Sequence, residues 1–184
     1  MQIIIGISGA SGVTYGVRLL ETLRDLKVKT HLVVTKAAER ILELETDFTK
    51  TQLVSLATCH YDIDDLASSL SSGSFQTNGM VIAPCSMKTL AGIANGYSSN
   101  LLLRAADVTL KEKRPLVLVP RETPLNIIHL ENMVKVAQAG AIVLPAIPGF
   151  YHKPKSIDDL VNHIVGKILD SLHLEHKLYK RWKS

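Results

Sequence analysis

Three stretches of this sequence hold residue types whose spacing could do chemistry. Gly6-Ile7-Ser8-Gly9-Ala10-Ser11-Gly12 is a small-residue turn in front of a helical pattern. The N–H groups and dipole of a helix start suit a phosphate. The spacing is GxxGxxG rather than GxGxxG, and the next apolar run ends in Thr35-Lys36, with no acidic residue to hold an adenosine ribose. A dinucleotide site is therefore disfavoured, while a turn needed only for packing is the other reading. Pro84-Cys85-Ser86-Met87-Lys88-Thr89 sets two hydroxyls and an ammonium at a second helix entrance. Ser86 can cap that helix and still meet a ligand. Cys85 has no histidine near it in sequence, so a small buried side chain is preferred over a nucleophile.

The third stretch is Arg121-Glu122-Thr123-Pro124, an arginine beside a carboxylate. The preceding helical segment carries Arg104 and Lys111, seven positions apart and so on one helical face. Singly, each cation reads as a solvated surface charge. Together, Arg104, Lys111 and Arg121 are expected to converge on a crevice and make a cationic pocket for phosphate or diphosphate. Further along, Pro148-Gly149-Phe150-Tyr151-His152-Lys153-Pro154 is an aromatic loop that could cover an apolar ligand or pack as core. The seven histidines form no HExxH pattern, and His173-x-x-His176 falls in the tail. No metal site is expected.

These segments need a frame. Short β-branched apolar runs at 2–7, 29–35, 79–84, 115–120 and 140–145 read as strands buried on both faces. Between and after them, helical spacing covers 13–26, 37–45, 88–96, 100–113, 126–139 and 156–172. The alternation predicts an α/β protein, a Rossmann-like three-layer α/β/α fold with a mainly parallel sheet. In such sheets ligands bind beyond the carboxyl ends of the strands, where the three stretches fall. Segment 46–78 reads as a loop, mobile around its serine-rich part. Residues 1–172 are expected to form one α/β domain, and 173–184 a basic, aromatic tail that docks on the domain or on a neighbouring subunit.

Composition sets the outer bounds. With 184 residues, 46% hydrophobic and 21% charged, and a mean hydropathy of +0.16, the chain can bury a core and is not a disordered segment. A formal charge of +4 favours anionic ligands without requiring nucleic acid, for which no aromatic platform or recognition motif is present. Two cysteines cannot make a disulfide framework. The start, Met1-Gln2-Ile3-Ile4-Ile5-Gly6, has no basic leader and its apolar run breaks at glycine. A soluble cytoplasmic protein, with neither signal peptide nor membrane span, is expected.

Several long segments in order resemble the flavin prenyltransferases, the UbiX-type flavoproteins. They are GISGASG (6–12), LETDF (44–48), SSGSFQT (71–77), APCSMKTLAGIANG (83–96), RAADVTLKEKRPLVLVPRETPL (104–125), HLENM (129–133) and PGFYHKP (148–154), with Arg181-Trp182 near the end. The resemblance implies a homo-oligomer with sites at subunit interfaces. It implies transfer of a dimethylallyl group from dimethylallyl phosphate to N5 and C6 of reduced FMN, without metal. The product, prenylated FMN, would serve UbiD-type decarboxylases, as in ubiquinone biosynthesis, so FMN is a substrate. It puts FMN on Gly9, Ala10, Ser11, Thr35, Ser86, Met87, Lys88, Thr89 and Arg121. Dimethylallyl phosphate falls to Tyr151 and Lys167, with Trp182 reaching the site from the tail. Glu45, Glu122, Lys111 and Arg104 are the implied catalytic groups. Many relatives carry Arg at Lys167, and some carry a tryptophan in the loop where Phe75 stands here. Two other readings stay open: an FMN-dependent cysteine decarboxylase of the phosphopantothenoylcysteine type, and a non-catalytic flavin-binding subunit of a decarboxylase.

Overall fold

The computed structural model describes residues 1–182. Six strands, β1 (Gln2–Ile7), β2 (Lys29–Val34), β3 (Cys59–Tyr61), β4 (Met80–Cys85), β5 (Leu116–Pro120) and β6 (Ile142–Val143), form one sheet in the order β3-β2-β1-β4-β5-β6. Every pairing is parallel. The helices are α1 (Val13–Asp25), α2 (Lys36–Glu45), α3 (Lys50–Ser55), α4 (Met87–Ala94), α5 (Leu101–Lys111), α6 (Ile127–Gln138) and α7 (Ile157–Ser171), with a 3-10 turn at Ser69–Ser71.

Strand residues alternate between two cores, because successive side chains leave opposite faces of a sheet. Ile3, Ile5, Ile7, Val81, Ala83, Val117 and Val119 join one cluster, shared with α1, α2 and α7. Ile4, Met80, Ile82, Leu116 and Leu118 join the other, shared with α4 and α5. Both faces are therefore covered, and the predicted three-layer α/β/α architecture is the observed one. β2 runs outward from β1 on one side and β4 on the other, so the chain direction across the sheet switches between β1 and β4. That switch point opens a crevice at the strand ends.

The expected helices stand with boundaries moved by one or two residues, as helix ends generally do. Two expectations change. The strand expected at 140–145 has ladder pairing only at Ile142 and Val143; the chain still follows β5 beyond them, Leu144 and Ala146 donating to the Leu118 and Pro120 carbonyls at 2.8 and 3.1 Å, while Pro145 between them has no N–H to give. Segment 46–78 holds α3 and the edge strand β3 as well as loop. Cys-His-Tyr is too short and too polar to show alternation, and it pairs on one side only. The serine-rich loop is also pinned: Arg104 Nε donates to the Ser71 carbonyl, and Arg114 donates to the carbonyls of Gly73 and Phe75.

Candidate functional site

The crevice is built from the ends of β1, β2, β4 and β5. After β1, Gly12 adopts φ +98° as the N-cap of α1, a left-handed conformation that favours glycine. Gly9 passes so close to α2 that an added Cβ would lie 2.5 Å from the Ala37 Cβ. The glycines of this turn thus answer to geometry, and the packing and ligand readings coexist. The α1 N-terminus already holds an anion: Glu45, the last residue of α2, accepts the N–H groups of Gly12 at 2.8 Å and Val13 at 3.2 Å. A carboxylate seated on backbone donors shows that the turn suits negative charge.

Neighbouring strand ends are tied to this turn. The Ser8 hydroxyl donates to the Pro84 carbonyl at 3.0 Å and accepts the Ser86 N–H at 2.8 Å, fully buried. Ser86 in turn caps α4, accepting the Thr89 N–H at 3.2 Å, and its hydroxyl donates to the Thr89 hydroxyl at 3.1 Å. Met87 and Lys88 open α4 beside it. From β5, Arg121 reaches across and donates to the Ser11 carbonyl at 3.1 Å. Thr35 caps α2 through Ala38 and donates its own N–H to Ile7 at 3.0 Å. Gly9, Ser11, Thr35, Ser86, Thr89, Arg121 and Glu45 are thereby linked around the strand ends; Ala10 is buried in the same turn, Lys88 is exposed at the start of α4, and Met87 packs against the core shared with α4 and α5. Glu122 follows Arg121 and is exposed, accepting the Thr123 N–H next to it.

Cys85 is fully buried at the end of β4, and burial pushes its thiol up to about 12. It is inert, as a small core side chain should be.

Sequence reading did not single out Ser8. Its signal was present, a hydroxyl between an apolar strand and a glycine, but only the pairing of β1 with β4 reveals its partners.

The other cations do not converge with Arg121 in one chain. α5 leads into β5 and runs antiparallel to it, so its first turn lies by the strand ends and Lys111 lies where the strands begin. Lys111 pairs with Glu112 at 2.8 Å, and Arg104 pairs with Asp107 at 2.7 Å. Both line the serine-rich loop rather than the crevice of their own chain.

Tyr151 and Lys167 form a third group, on α7 and the loop before it. Tyr151 meets Trp182 edge-on at 5.4 Å, and Lys167 stands 3.8 Å from Asp170. Asp170 anchors the returning tail: it accepts from Tyr179 at 2.6 Å, Arg181 at 2.7 Å and His176 at 3.1 Å. Burial opposes its ionisation, yet hydrogen bonds from Tyr179, Arg181 and His176 hold it down at about 2. Of the expected tail 173–184, Lys183 and Ser184 lie outside the described residues. Among the described residues, no hydrogen bond or ring contact joins Tyr151 or Lys167 to the crevice. No group of three acidic, histidine or cysteine side chains there could hold a metal ion.

The chain that builds this crevice matches known proteins along nearly its whole length. The Flavoprotein family model covers residues 1–169. Flavin prenyltransferase UbiX of Escherichia coli (strain K12) is 53% identical over 185 residues, 99% of this chain and 98% of that one.

This chain belongs to the UbiX-type flavin prenyltransferase family.

Two solved structures of UbiX-type proteins superpose closely. The crystal structure of AnUbiX (PadA1) in complex with FMN and dimethylallyl pyrophosphate has a TM-score of 0.98 at 46% identity, covering 100% of this chain and 97% of that one. The dodecameric FMN-dependent Ubix-like decarboxylase from Escherichia coli O157:H7 also reaches a TM-score of 0.98, at 49% identity with complete coverage of both chains. In this UbiX-type chain, no helix among the described residues is long and apolar enough to cross a membrane.

Proposed function

We propose that this protein is a flavin prenyltransferase, joining a dimethylallyl group from its phosphate to reduced FMN and handing prenylated FMN to a UbiD-type decarboxylase. The observation that carries the reading is the crevice in which Ser8 and Arg121 tie three strand ends together around a glycine turn. FMN fits that crevice on the chain's own terms: small residues admit a flat ring system, and Glu45, held by the Gly12 and Val13 N–H groups, stands beside them as a proton carrier. Gly9, Ala10, Ser11, Thr35, Ser86, Met87, Lys88, Thr89 and Arg121 would hold it. When bound and reduced, the flavin supplies two nucleophilic positions, N5 and C6.

The chain's residues do the rest. Breaking the allylic carbon–oxygen bond sends the electron pair to the phosphate. Arg104, Lys111, Lys167 and the Tyr151 hydroxyl would stabilise that charge. The rings of Tyr151 and Trp182 would face the allyl cation, which an aromatic quadrupole attracts. Forming the N5 bond uses the allyl cation, releases the N5 proton and leaves a carbon–carbon double bond, so the second bond, at C6, forms only as that double bond takes up a proton and C6 gives one up. Glu45 or Glu122 would deliver the one proton and receive the other, and the N5 proton would leave with the departing phosphate.

Arg104, Lys111, Tyr151 and Lys167 stand apart from the crevice of their own chain, so we assign them to the crevice of a neighbouring copy. Support comes from the apolar surface left open: Ile127, Ile128, Leu130 and Val134 on α6, and Ile147, Phe150 and Ile157 near α7, are all exposed. Seven such residues on a monomer imply burial against other copies. On this reading residues 1–172 are one flavin-binding unit whose tail, 173–184, completes a shared site. Two free thiols, Cys59 and Cys85, accord with work in the reducing cytoplasm.

The deciding experiment incubates the purified protein with reduced FMN and dimethylallyl phosphate, then the diphosphate, without added metal. Mass spectrometry is expected to find the flavin heavier by the allyl unit. Bound but unchanged flavin with either donor would overturn the reading in favour of a flavin-binding subunit.

A further inference from the structure

The α7 group contains a histidine with no part in the chemistry above. His163 is 6% exposed and lies one turn before Lys167. Rings enclose it: His152 stacks parallel at 5.0 Å, Tyr151 meets it edge-on at 5.6 Å, and Tyr179 lies tilted at 4.9 Å. Both of its nitrogens are engaged. The Gly149 backbone N–H donates to Nδ1 at 3.3 Å, and Nε2 lies 3.3 Å from the Tyr151 hydroxyl oxygen.

A backbone N–H can only donate, so Nδ1 is an unprotonated acceptor. In a neutral imidazole the single proton then sits on Nε2. That N–H donates to the Tyr151 oxygen, which leaves the tyrosine's own hydrogen pointed elsewhere. The opposite tautomer would do the reverse, with Nε2 accepting and consuming the Tyr151 hydrogen. The surroundings also favour the neutral ring. Burial, His152 and Lys167 all lower the His163 pKa, and only Asp170 opposes them.

We infer that His163, fixed as the Nε2–H tautomer by Gly149, is a positioning residue that aims the Tyr151 hydroxyl as a donor at the phosphate of the allyl substrate. The inference rests on the reading above that gives Tyr151 to that phosphate. A phosphate oxygen can only accept, so the direction of the tyrosine hydrogen decides whether the contact forms. A hydroxyl that already accepts one hydrogen bond is also polarised toward donating a stronger one. Lys167, one turn along the same helix, adds charge, whereas His163 adds direction. Gly149 and Tyr151 are two residues apart, so one short loop both sets the tautomer and presents the hydroxyl it controls.

The test is a double-mutant cycle on the full-length protein, read as kcat/KM for dimethylallyl phosphate at saturating reduced FMN. His163→Phe keeps the ring and its stacking but removes both nitrogens. Tyr151→Phe removes the hydroxyl. His163→Gln retains an amide N–H able to donate to Tyr151. Each single phenylalanine variant is expected to lose about tenfold, the scale of one hydrogen bond to a charged group. The double variant should lose no more than the worse single, and His163→Gln should recover several-fold. FMN affinity, from quenching of flavin fluorescence, and the melting temperature should stay near wild type in all of them. Multiplying losses in the double variant would show His163 acting independently of Tyr151 and overturn the inference. So would wild-type kinetics in His163→Phe, or a loss in both His163 variants accompanied by a fall in melting temperature or weaker FMN binding. Wild-type kinetics in Tyr151→Phe would instead remove Tyr151 from the site, ending the parent assignment and this inference together.

Discussion

The Glu45 carboxylate accepts the Gly12 backbone N–H at 2.8 Å, joining the last residue of α2 to the turn that starts α1. A second bond from Val13 fixes the same oxygen. The carboxylate is thus held at the crevice by backbone, with its other oxygen free of those two bonds. Glu45→Gln keeps an acceptor for Gly12 but removes the charge and the proton-accepting capacity. FMN should still bind, while prenylation slows by about 10²-fold, the usual scale of one acid–base group. Stopped-flow turnover alongside flavin-fluorescence titration checks both halves. A wild-type rate would transfer the role to Glu122.

Ser8 joins the turns after β1 and β4 by two hydrogen bonds in a fully buried position. Ser8→Ala would leave the Ser86 N–H and one lone pair of Pro84 without that partner, at a cost of about 1–3 kcal/mol. Urea denaturation should show the midpoint falling. FMN should bind several-fold more weakly, because the two turns we assign to it lose their mutual register. Unchanged FMN affinity would confine Ser8 to stability.

Asp170 links the tail to α7, and its pH dependence has a definite sign. Its folded value, about 2, lies below the ordinary carboxylate value of about 3.9. The stability it contributes is therefore complete above about pH 4, and is lost as pH falls through about 2. Melting temperatures between pH 2 and pH 5 should drop more steeply for wild type than for Asp170→Asn, which starts lower. Parallel curves would mean the tail is held by its apolar contacts, Leu174 and Leu178, alone.

Cys85 should take no part in turnover. Its thiol is fully buried and pushed up to about 12, whereas Cys59 is partly exposed. Iodoacetamide on the native protein should label Cys59 and spare Cys85. Cys85→Ala should prenylate normally, with a stability loss of about 1 kcal/mol from the lost packing. A large fall in its rate at unchanged stability would return Cys85 to the chemistry.

The frame and the crevice were largely legible in the sequence. Long β-branched runs such as Ile3-Ile4-Ile5 have only one comfortable state, a strand buried on both faces, and the small-residue turns after them follow. Glu45 became legible only through the family resemblance. Nothing local marks it off from Glu39 or Glu43 on the same helix, since its role depends on a turn 33 residues away. Ser8 and His163 were invisible for a related reason: each acts through partners brought by another strand or loop. The expected convergence of Arg104 and Lys111 with Arg121 failed in a single chain for a geometric reason. Lys111 lies two turns along α5, where the strands begin, and Arg104, in the first turn, is turned to the Ser71 carbonyl and Asp107; seven-residue spacing speaks for one helix face but for neither of these.

Lys111 lies at the opposite end of the sheet from the glycine turn, and this has a genetic counterpart. If each copy lends its cations to a neighbour's crevice, two alleles defective in different halves can rescue one another. A cell making both Gly9→Val and Lys111→Ala chains would assemble some crevices with an intact turn from one product and an intact cation from the other. Two copies of either allele alone would make none.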